Sequence, residues 1–196
     1  MVLVTATEDR TRARLVAAAA DCFAAHGIGR VSLEEVATAA GVHRTTLHRH
    51  FPGGRDELVV AVLDREGEQM AVGMLERIDA AASAVDALVE AATFAVLEGR
   101  RSQVVAMLLG EPSSRLVLLD AADVRLRSTA IAVWARIIER DDARPRSGRA
   151  PSPARVVDHL FRVILSLVEQ PGEVRTEAKA RSYMADFVAP ALLGNA

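Results

Sequence analysis

The residues of this chain that could carry chemistry are concentrated in one short stretch, GVHRTTLHRHF at residues 41–51. It holds three of the chain's five histidines together with two arginines. Its basic members are His43, Arg44, His48, Arg49 and His50. Side chains of these types can bind a metal ion, transfer protons or contact nucleic acid. The spacing of these residues, and the secondary-structure elements on which they lie, must decide which of the three chemistries applies.

A metal site requires ligands that converge within about 2 Å of one ion. On a helix that advances about 100° and 1.5 Å per residue, His48 and His50 point about 160° apart, and His43 lies about 10 Å along the axis from His50. A site that combines His43 with a partner from elsewhere stays open, but the sequence has no spare cysteine and no H-x-x-x-H pair. Acid–base catalysis would need an orienting carboxylate and a cleft, which this stretch lacks. We therefore expect neither a metal nor a cofactor.

The composition restricts the class of protein. A chain of 196 residues that is 51% hydrophobic is expected to be folded and globular. No apolar run approaches the roughly 18 to 20 residues that span a bilayer, and the N-terminus lacks the order of a secretory signal. We expect a soluble, cytoplasmic protein with no membrane partner. Cys22 lies on an apolar helix face, which favours a buried structural thiol over a nucleophile.

The net charge is −2, but the basic residues are unevenly distributed. Residues 1–55 carry seven arginines against five acidic residues, and four of the five histidines, whereas the rest of the chain is acidic overall. An asymmetry of this size favours nucleic-acid binding only weakly. The local arrangement of the residues has to decide.

The sequence predicts an all-α protein, because Ala, Leu, Val, Glu and Arg dominate and no sustained alternation of apolar and polar residues occurs. A first helix over about residues 8–26 ends at Gly27. A capping box, Ser32–Glu35, starts a short second helix, and Gly41 separates it from a third that begins near residue 43. Two short helices joined by a tight turn with glycine are the helix-turn-helix arrangement, whose second member enters the DNA major groove.

The third helix has the side chains that a DNA-reading surface needs. A plain αα-hairpin would show much of the same spacing, but a solvated hairpin would expose Glu and Lys rather than Arg, Thr and His. Arg44 can reach a guanine edge, and Thr45 and Thr46 can bond to bases or backbone. His48 and His50 can each donate to a phosphate oxygen.

The opposite side of the third helix carries Leu47 and Phe51, which we expect to anchor it to the core. His50 lies near the boundary of this buried side. Contact with phosphate and a mainly structural role therefore both stay open for His50.

After Pro52 the composition shifts to long apolar helical patterns. The predicted helices lie near residues 56–80, 83–99, 102–110, 115–141, 153–170 and 174–193. We expect a DNA-binding domain over residues 1–55, with 1–7 as a flexible tail, and a helical domain over 56–196. The stretch 141–153 is basic and poor in apolar groups, which predicts a loop.

The segment SLEEVATAAGVHRTTLHRHFPGGRDEL resembles the DNA-binding segment of the tetracycline-repressor (TetR) family of one-component regulators, over about residues 8–65. The resemblance implies an N-terminal three-helix DNA-binding domain followed by a helical bundle that binds an effector and dimerises, without enzymatic activity. It implies that Arg44, Thr45 and Thr46 face the bases. The implied backbone contacts are Ser32, His48, His50 and Arg55, with Arg10, Arg12 or Arg14 as flanking candidates.

The sequence departs from the family pattern at two positions. The family usually has Tyr where His48 stands, and a phosphate donor is kept there. It usually has Lys or Arg three residues after the Phe, where Gly54 stands. Either the turn is one residue longer and Arg55 makes that phosphate contact, which we expect, or the contact is missing.

Specific binding by a helix-turn-helix protein normally comes from a symmetric dimer that reads two half-sites. Two apolar helical stripes near the C-terminus are wider than one neighbouring helix needs. Such stripes are core by default, but the resemblance implies that the last two long helices pair with those of a second copy. The predicted interface residues are Val157, Leu160, Phe161, Ile164, Val168, Met184, Phe187 and Val188.

Between the fourth helix and these stripes lies the region where members of the family bind a small effector. Met and Trp side chains there could line an apolar cavity, although each is otherwise plain core. The candidates are Met70, Met74, Phe94, Met107, Leu108, Trp134 and Ile138. Since few polar residues lie among them, we expect a hydrophobic or amphipathic ligand.

The leading hypothesis is a repressor that binds a palindromic operator in double-stranded DNA as a homodimer and is released by an unidentified small molecule. An all-helical enzyme is the alternative, disfavoured because His159 and Asp158 are adjacent in sequence and do not face each other on a helix. A third hypothesis is an adaptor that binds protein through residues 102–141.

Overall fold

The computed structural model describes the backbone of residues 2–110, 112–140, 142–143 and 152–193, and the side chains of residues 8–106, 125–140, 142–143 and 152–193. Each regular element in these ranges is helical, which confirms the predicted all-α class. The helices are α1 Val2–His26, α2 Leu33–Ala39, α3 Arg44–His50, α4 Gly54–Ala80, α5 Ala84–Arg101, α6 Gln103–Gly110, α7 Pro112–Ile138, α8 Pro153–Glu169, α9 Glu177–Tyr183 and α10 Ala189–Leu192. A π-helical turn, Met184–Val188, joins the last two. None of these helices is long and apolar enough to cross a membrane.

The predicted helices match the observed ones closely except near the two ends of the chain. Helix α1 begins at Val2, so the backbone of residues 2–7 is helical where a flexible tail was expected. Once a helix is nucleated, each further residue adds a hydrogen bond, which favours extension. The last helix begins at Glu177 and is interrupted by the π-helical turn. Of the predicted loop, residues 144–151 lie outside the described residues.

The chain forms two compact units, one of residues 1–66 and 103–123 and the other of residues 67–102 and 124–196. This division differs from the predicted boundary after residue 55. The first part of α4 belongs to the first unit, and α6 joins that unit because it packs against α1. Composition along the chain could not reveal a distant segment that returns to an earlier helix.

In the first unit, α1 buries Leu15, Ala19 and Phe23, which are spaced four residues apart and so lie on one face. Helix α2 packs against this face and α3 packs against α2. Leu47 and Phe51 are both fully buried, which confirms their predicted role as anchors of α3.

The turn between α2 and α3 depends on Gly41, which has a φ of +63°. Its N–H donates to the carbonyl of Thr38 at 3.0 Å, and the N–H of Val42 donates to that of Ala37 at 2.9 Å. This pair of bonds is a Schellman motif, in which a left-handed residue satisfies the last carbonyls of a helix. A glycine adopts this conformation without the steric cost of a Cβ.

In the second unit, α5 is the most enclosed helix, with α8, α9 and the π-helical turn packed against it. Its small residues allow close approach, since a Cβ on Gly99 would lie 2.9 Å from a methyl group of Val168 on α8. The Arg100 guanidinium donates to the carbonyl of Leu167 on the same neighbour, at 2.8 Å and 3.2 Å. Partial burial lowers the pKa of this guanidinium.

The segment after α7 supplies hydrogen-bond partners to the end of α4 and to the start of α5. The Arg140 guanidinium donates to the carbonyl oxygens of Ile78 and Ala81, at 3.1 Å and 2.8 Å. The Asp142 carboxylate accepts from the N–H of Ala84 at 2.8 Å. Carbonyls at a helix end and N–H groups at a helix start lack partners within the helix, so this segment supplies both.

Replacing Arg140 with alanine would leave the carbonyls of Ile78 and Ala81 without their charged donor. We expect the free energy of unfolding to fall by about 1.5–3 kcal/mol. Arg136→Ala is the matched control, because its exposed ion pair with Asp79 should contribute less than about 1 kcal/mol. Urea unfolding followed by circular dichroism measures both, and equal losses would contradict the role assigned to Arg140.

Candidate nucleic-acid interface

Helix α3 turns its buried residues inward and leaves a polar face exposed. Within this helix, Arg44, Thr45, His48 and Arg49 are exposed, and Thr46 is half-buried. The helix therefore presents guanidinium, hydroxyl and imidazole groups on a scaffold whose other side is fixed in the core. These are donors that phosphates and base edges accept.

Ser32 begins α2 through the predicted capping box, which is confirmed. Its hydroxyl oxygen accepts from the N–H of Glu35 at 3.2 Å, and the Glu35 carboxylate accepts from the N–H of Ser32 at 2.7 Å. Hydrogen bonds to the Glu35 carboxylate from the backbone N–H of Ser32 and from its side chain lower the pKa of Glu35, the backbone one more strongly. The cap thus fixes Ser32 at the start of α2.

Arg44 has two partners within the described chain. Its Nε–H donates to Nε2 of His48 at 3.4 Å, one turn along α3. Its Nη1 lies 3.9 Å from Oε2 of Glu34 on α2, and both of these side chains are mostly exposed. The sequence analysis missed Glu34, because only the packing of α2 against α3 brings the two residues together.

His43 caps the start of α3 and engages Thr45. Nδ1 of His43 accepts from the N–H of Thr45 at 3.4 Å and lies 2.9 Å from its hydroxyl oxygen. The N–H of Thr45 uses the one lone pair of Nδ1, and this contact caps the start of α3.

His50 is half-buried, and its Nε2 is enclosed without a hydrogen-bond partner among the described residues. That nitrogen is directed away from solvent in this conformation. Of the two roles left open for His50, the observed placement favours the structural one. It does not present Nε2 to a phosphate.

Arg55 lies near the start of α4, as expected, but its guanidinium is occupied within the first unit. Nη2 donates to the carbonyl of Val31 at 2.7 Å, and Nη1 to that of Gly29 at 3.4 Å. These bonds fix the loop that leads into Ser32. Arg55 therefore has a structural role that the sequence analysis did not predict.

Two of the flanking arginines of α1 also make contacts inside the first unit. Nη2 of Arg14 donates to the carbonyl of Ala40, the C-cap of α2, at 2.6 Å. The guanidinium carbon of Arg12 lies 4.9 Å from the centre of the Phe51 ring, a cation–π contact. Both arginines help to position the helices that carry the interface.

Cys22 and the adjacent Asp158 and His159 are the other residues that the sequence analysis weighed for chemistry. In the described part of the chain, no group of three or more His, Cys, Asp or Glu is placed to hold a metal ion. Cys22 is half-buried rather than buried, and burial, followed by the charges of Asp21 and Glu35, raises its pKa. Asp158 pairs with Arg162 at 3.0 Å, and that hydrogen bond is the main cause of its lowered pKa.

The predicted ligand-binding residues do not all face one interior. Met70, Met74 and Phe94 are half-buried, and Trp134 is buried in the core of the second unit. Ile138 is 37% exposed at the end of α7, so it does not line an enclosed space. The side chains of Met107 and Leu108 lie outside the described residues.

Arg77 is a polar neighbour of this group that the sequence analysis missed. Its guanidinium carbon lies 3.7 Å from the centre of the Phe94 ring, and its Nη1 donates to the carbonyl of Gly73 at 2.9 Å. A residue three positions after Met74 and seven after Met70 shares their helical face, so the spacing could have identified Arg77.

The predicted dimer-interface residues divide into three sets by burial. Val157, Met184 and Val188 are buried in the chain's own core, which corrects their assignment to an interface. The π-helical turn explains part of this, because it adds a residue to the turn and shifts which side chains face inward. Phe161 and Phe187 are 42% and 68% exposed. The remaining three, Leu160, Ile164 and Val168, are half-buried.

Comparison with known proteins agrees with this geometry. Residues 15–62 match the model of the tetR family of bacterial regulatory proteins. That match spans α2 and α3, the second half of α1 and the start of α4. No curated protein matches the chain in sequence.

Solved structures of TetR-family regulators share the fold of the chain. The repressor AlkX from Dietzia sp., implicated in biodegradation of n-alkanes, is 20% identical with a TM-score of 0.69, covering 91% of this chain and 96% of its own. A putative regulator from Mesorhizobium loti is 17% identical with a TM-score of 0.63, covering 94% and 96%. RolR in complex with resorcinol is 15% identical with a TM-score of 0.64, covering 97% and 90%.

Residues 15–62 thus match the tetR family of bacterial regulatory proteins, and the chain shares the fold of solved TetR-family regulators.

Proposed function

We propose that this chain is a transcriptional regulator of the tetR family, a repressor that binds a palindromic operator as a homodimer through α3 and is released by a small ligand. The observation that carries the proposal is the exposed polar face of α3, held from behind by the buried Leu47 and Phe51. A helix anchored in this way can enter a major groove without rearranging the fold.

In this proposal the side chains of α3 divide their roles by chemistry. Arg44 offers a planar fork of donors that suits the O6 and N7 acceptors of guanine, and Thr45 and Thr46 offer hydroxyl groups. Ser32 and His48 contact phosphates, which position the helix without reading sequence. Arg12 and Arg14 act indirectly, because their guanidinium groups hold Phe51 and the end of α2.

A dimer is proposed because one such helix makes few contacts, and paired half-sites about 34–36 Å apart supply the specificity. Phe161 on α8 and Phe187 in the π-helical turn expose large apolar surface. The ring of Phe187 also lies 5.2 Å from that of Tyr183, which extends the apolar area. Aromatic side chains of this kind are enriched at protein interfaces.

The effector is proposed to be a small apolar or amphipathic molecule bound in the second unit near Met70, Met74 and Phe94. AlkX, with a similar fold, is implicated in n-alkane biodegradation, and RolR has been solved with resorcinol. The ligand would act by favouring one separation of the two recognition helices in the dimer, which shifts the population away from the spacing that the operator requires.

The first test is selection of binding sites from random-sequence DNA with the purified protein, followed by gel shift. We expect an inverted repeat to be enriched. Arg44→Ala should lose about 1–3 kcal/mol of discrimination at one base pair of each half-site, because a bidentate contact is removed. Arg101→Ala, which removes an exposed arginine of α5, should bind as the wild type does. Unchanged discrimination in Arg44→Ala would contradict the placement of α3.

Two substitutions separate the structural role of Arg55 from a phosphate contact. Arg55→Lys keeps the charge but cannot bridge the carbonyls of Val31 and Gly29 with a planar fork. We expect this variant to lose about 1–3 kcal/mol of stability in urea, as does Arg55→Ala. A lysine variant with wild-type stability would show instead that the charge, and not the fork, is what position 55 requires.

The dimer is tested by Phe187→Glu. A carboxylate in place of the exposed ring should oppose association, so we expect a monomer in analytical ultracentrifugation and weaker binding to the operator. Val72→Glu is the matched control, since Val72 on α4 is also an exposed apolar residue and is 57% exposed. A Phe187→Glu variant that sediments as the wild type does would exclude this surface as the interface.

A further inference from the structure

His48 and Arg44 form a pair whose hydrogen bond exists in only one protonation state. Arg44 Nε–H donates to Nε2 of His48 at 3.4 Å. That nitrogen can accept only when it carries no proton, so the imidazole in this contact is neutral and its proton is on Nδ1. A protonated imidazole has two donors and no acceptor, and it would repel the guanidinium.

Glu34 on α2 holds a second part of the same guanidinium, through the contact between its Oε2 and Nη1 of Arg44 at 3.9 Å. An exposed pair of this kind contributes about 1 kcal/mol or less to stability, so its effect is on orientation. Two of the three guanidinium nitrogens therefore have a partner, one on each of two different helices. Arg44 is restrained before any DNA is present.

We propose that neutral His48 is a positioning residue, which holds Arg44 in the orientation that reads its base, so that protonation of His48 lowers operator discrimination. This inference rests on the proposed function of α3. When the pair is broken, the guanidinium and the imidazolium are both available to phosphates, whose contacts carry no sequence information. Binding to DNA of any sequence should then strengthen relative to binding to the operator.

Imidazoles change charge between about pH 5 and pH 8, so other histidines of this helix must be separated from His48. His43 caps α3 with an unprotonated Nδ1, so its protonation would also disturb the helix. At the C-terminal end of α3, Nε2 of His50 is buried. Among the described residues, the charged groups in contact with Arg44 and His48 are each other and Glu34, and no hydrogen bond or ion pair joins them to a charged group of α1 or α4.

The experiment measures discrimination by fluorescence anisotropy at fixed salt. The probes are an operator selected at about pH 8 and the same duplex substituted at the base pair where Arg44→Ala loses discrimination. Discrimination is the ratio of the two Kd values, measured at about pH 8 and about pH 5.5. For the wild type we expect this ratio to fall at least about fivefold at the lower pH.

The His48→Gln variant supplies an amide oxygen that can accept from Arg44 Nε–H at either pH. We expect the ratio of this variant, whatever its value at about pH 8, to change less than about twofold with pH. His26→Gln is the control, because His26 is exposed at the end of α1, and it should keep the wild-type fall. A His43→Ser background replaces the imidazole cap with a serine cap, and the fall should persist there.

Three results would overturn the inference: a wild-type ratio that does not change with pH, an equal fall in His48→Gln, or a fall that vanishes in His43→Ser. Failure of the proposed function is distinguishable, because in that case the wild type binds no selected duplex preferentially at about pH 8, or Arg44→Ala loses discrimination at no base pair.

Discussion

Arg14 of α1 donates to the carbonyl oxygen of Ala40 at the point where α2 ends and the chain turns into α3. The last carbonyls of a helix have no partner within it and carry the negative end of the helix dipole, so a guanidinium suits this place. A Cβ on Gly41 would lie 3.3 Å from the same guanidinium. Glycine at this position thus permits both the left-handed turn and the close approach of Arg14. The direction of α3, and of every side chain it exposes, depends on this contact.

Hydrogen bonds from an arginine to a backbone carbonyl recur along the chain. Arg55, Arg100 and Arg140 also donate to backbone carbonyls, each to a segment distant in sequence. Of the 24 basic residues, 23 are arginine and Lys179 is the exception. A planar fork can bond two carbonyls at once, which a lysine ammonium does less well. Part of the positive charge of this chain therefore joins helices and loops, and the count of arginines overstates the charge that is free at the surface.

The second unit shows how an apolar helical stripe divides between core and surface. The stripe of α8 and the last helices has more apolar residues than one neighbouring helix can cover. Helix α5 covers Val157, Met184 and Val188, while Phe161 and Phe187 stay exposed. The first set is buried within the single chain, and the two exposed rings are the part of the stripe that its own core leaves uncovered. The guanidinium of Arg77 on α4 lies over the ring of Phe94 on α5. A cation therefore lies among residues that the sequence predicts to be apolar.

The sequence by itself determined the local elements and the face of α3. Neighbouring residues determine the helical periodicity, the capping box at Ser32 and the turn at Gly41. Each of these features depends on hydrogen bonds between residues three to five positions apart. The same is true of the anchors Leu47 and Phe51, whose burial follows from their spacing. The separation of the histidines on α3 is likewise a matter of helical geometry.

Only the tertiary structure decided which polar side chains are already occupied. The bonds of Arg14, Arg55 and Arg140 reach across 26, 24 and 62 positions of the chain respectively, and no local pattern encodes such a distance. The contact of Glu34 with Arg44 depends in the same way on the crossing of two helices. Hydrogen bonds to distant carbonyls arise from packing, and packing is a property of the whole fold rather than of any segment.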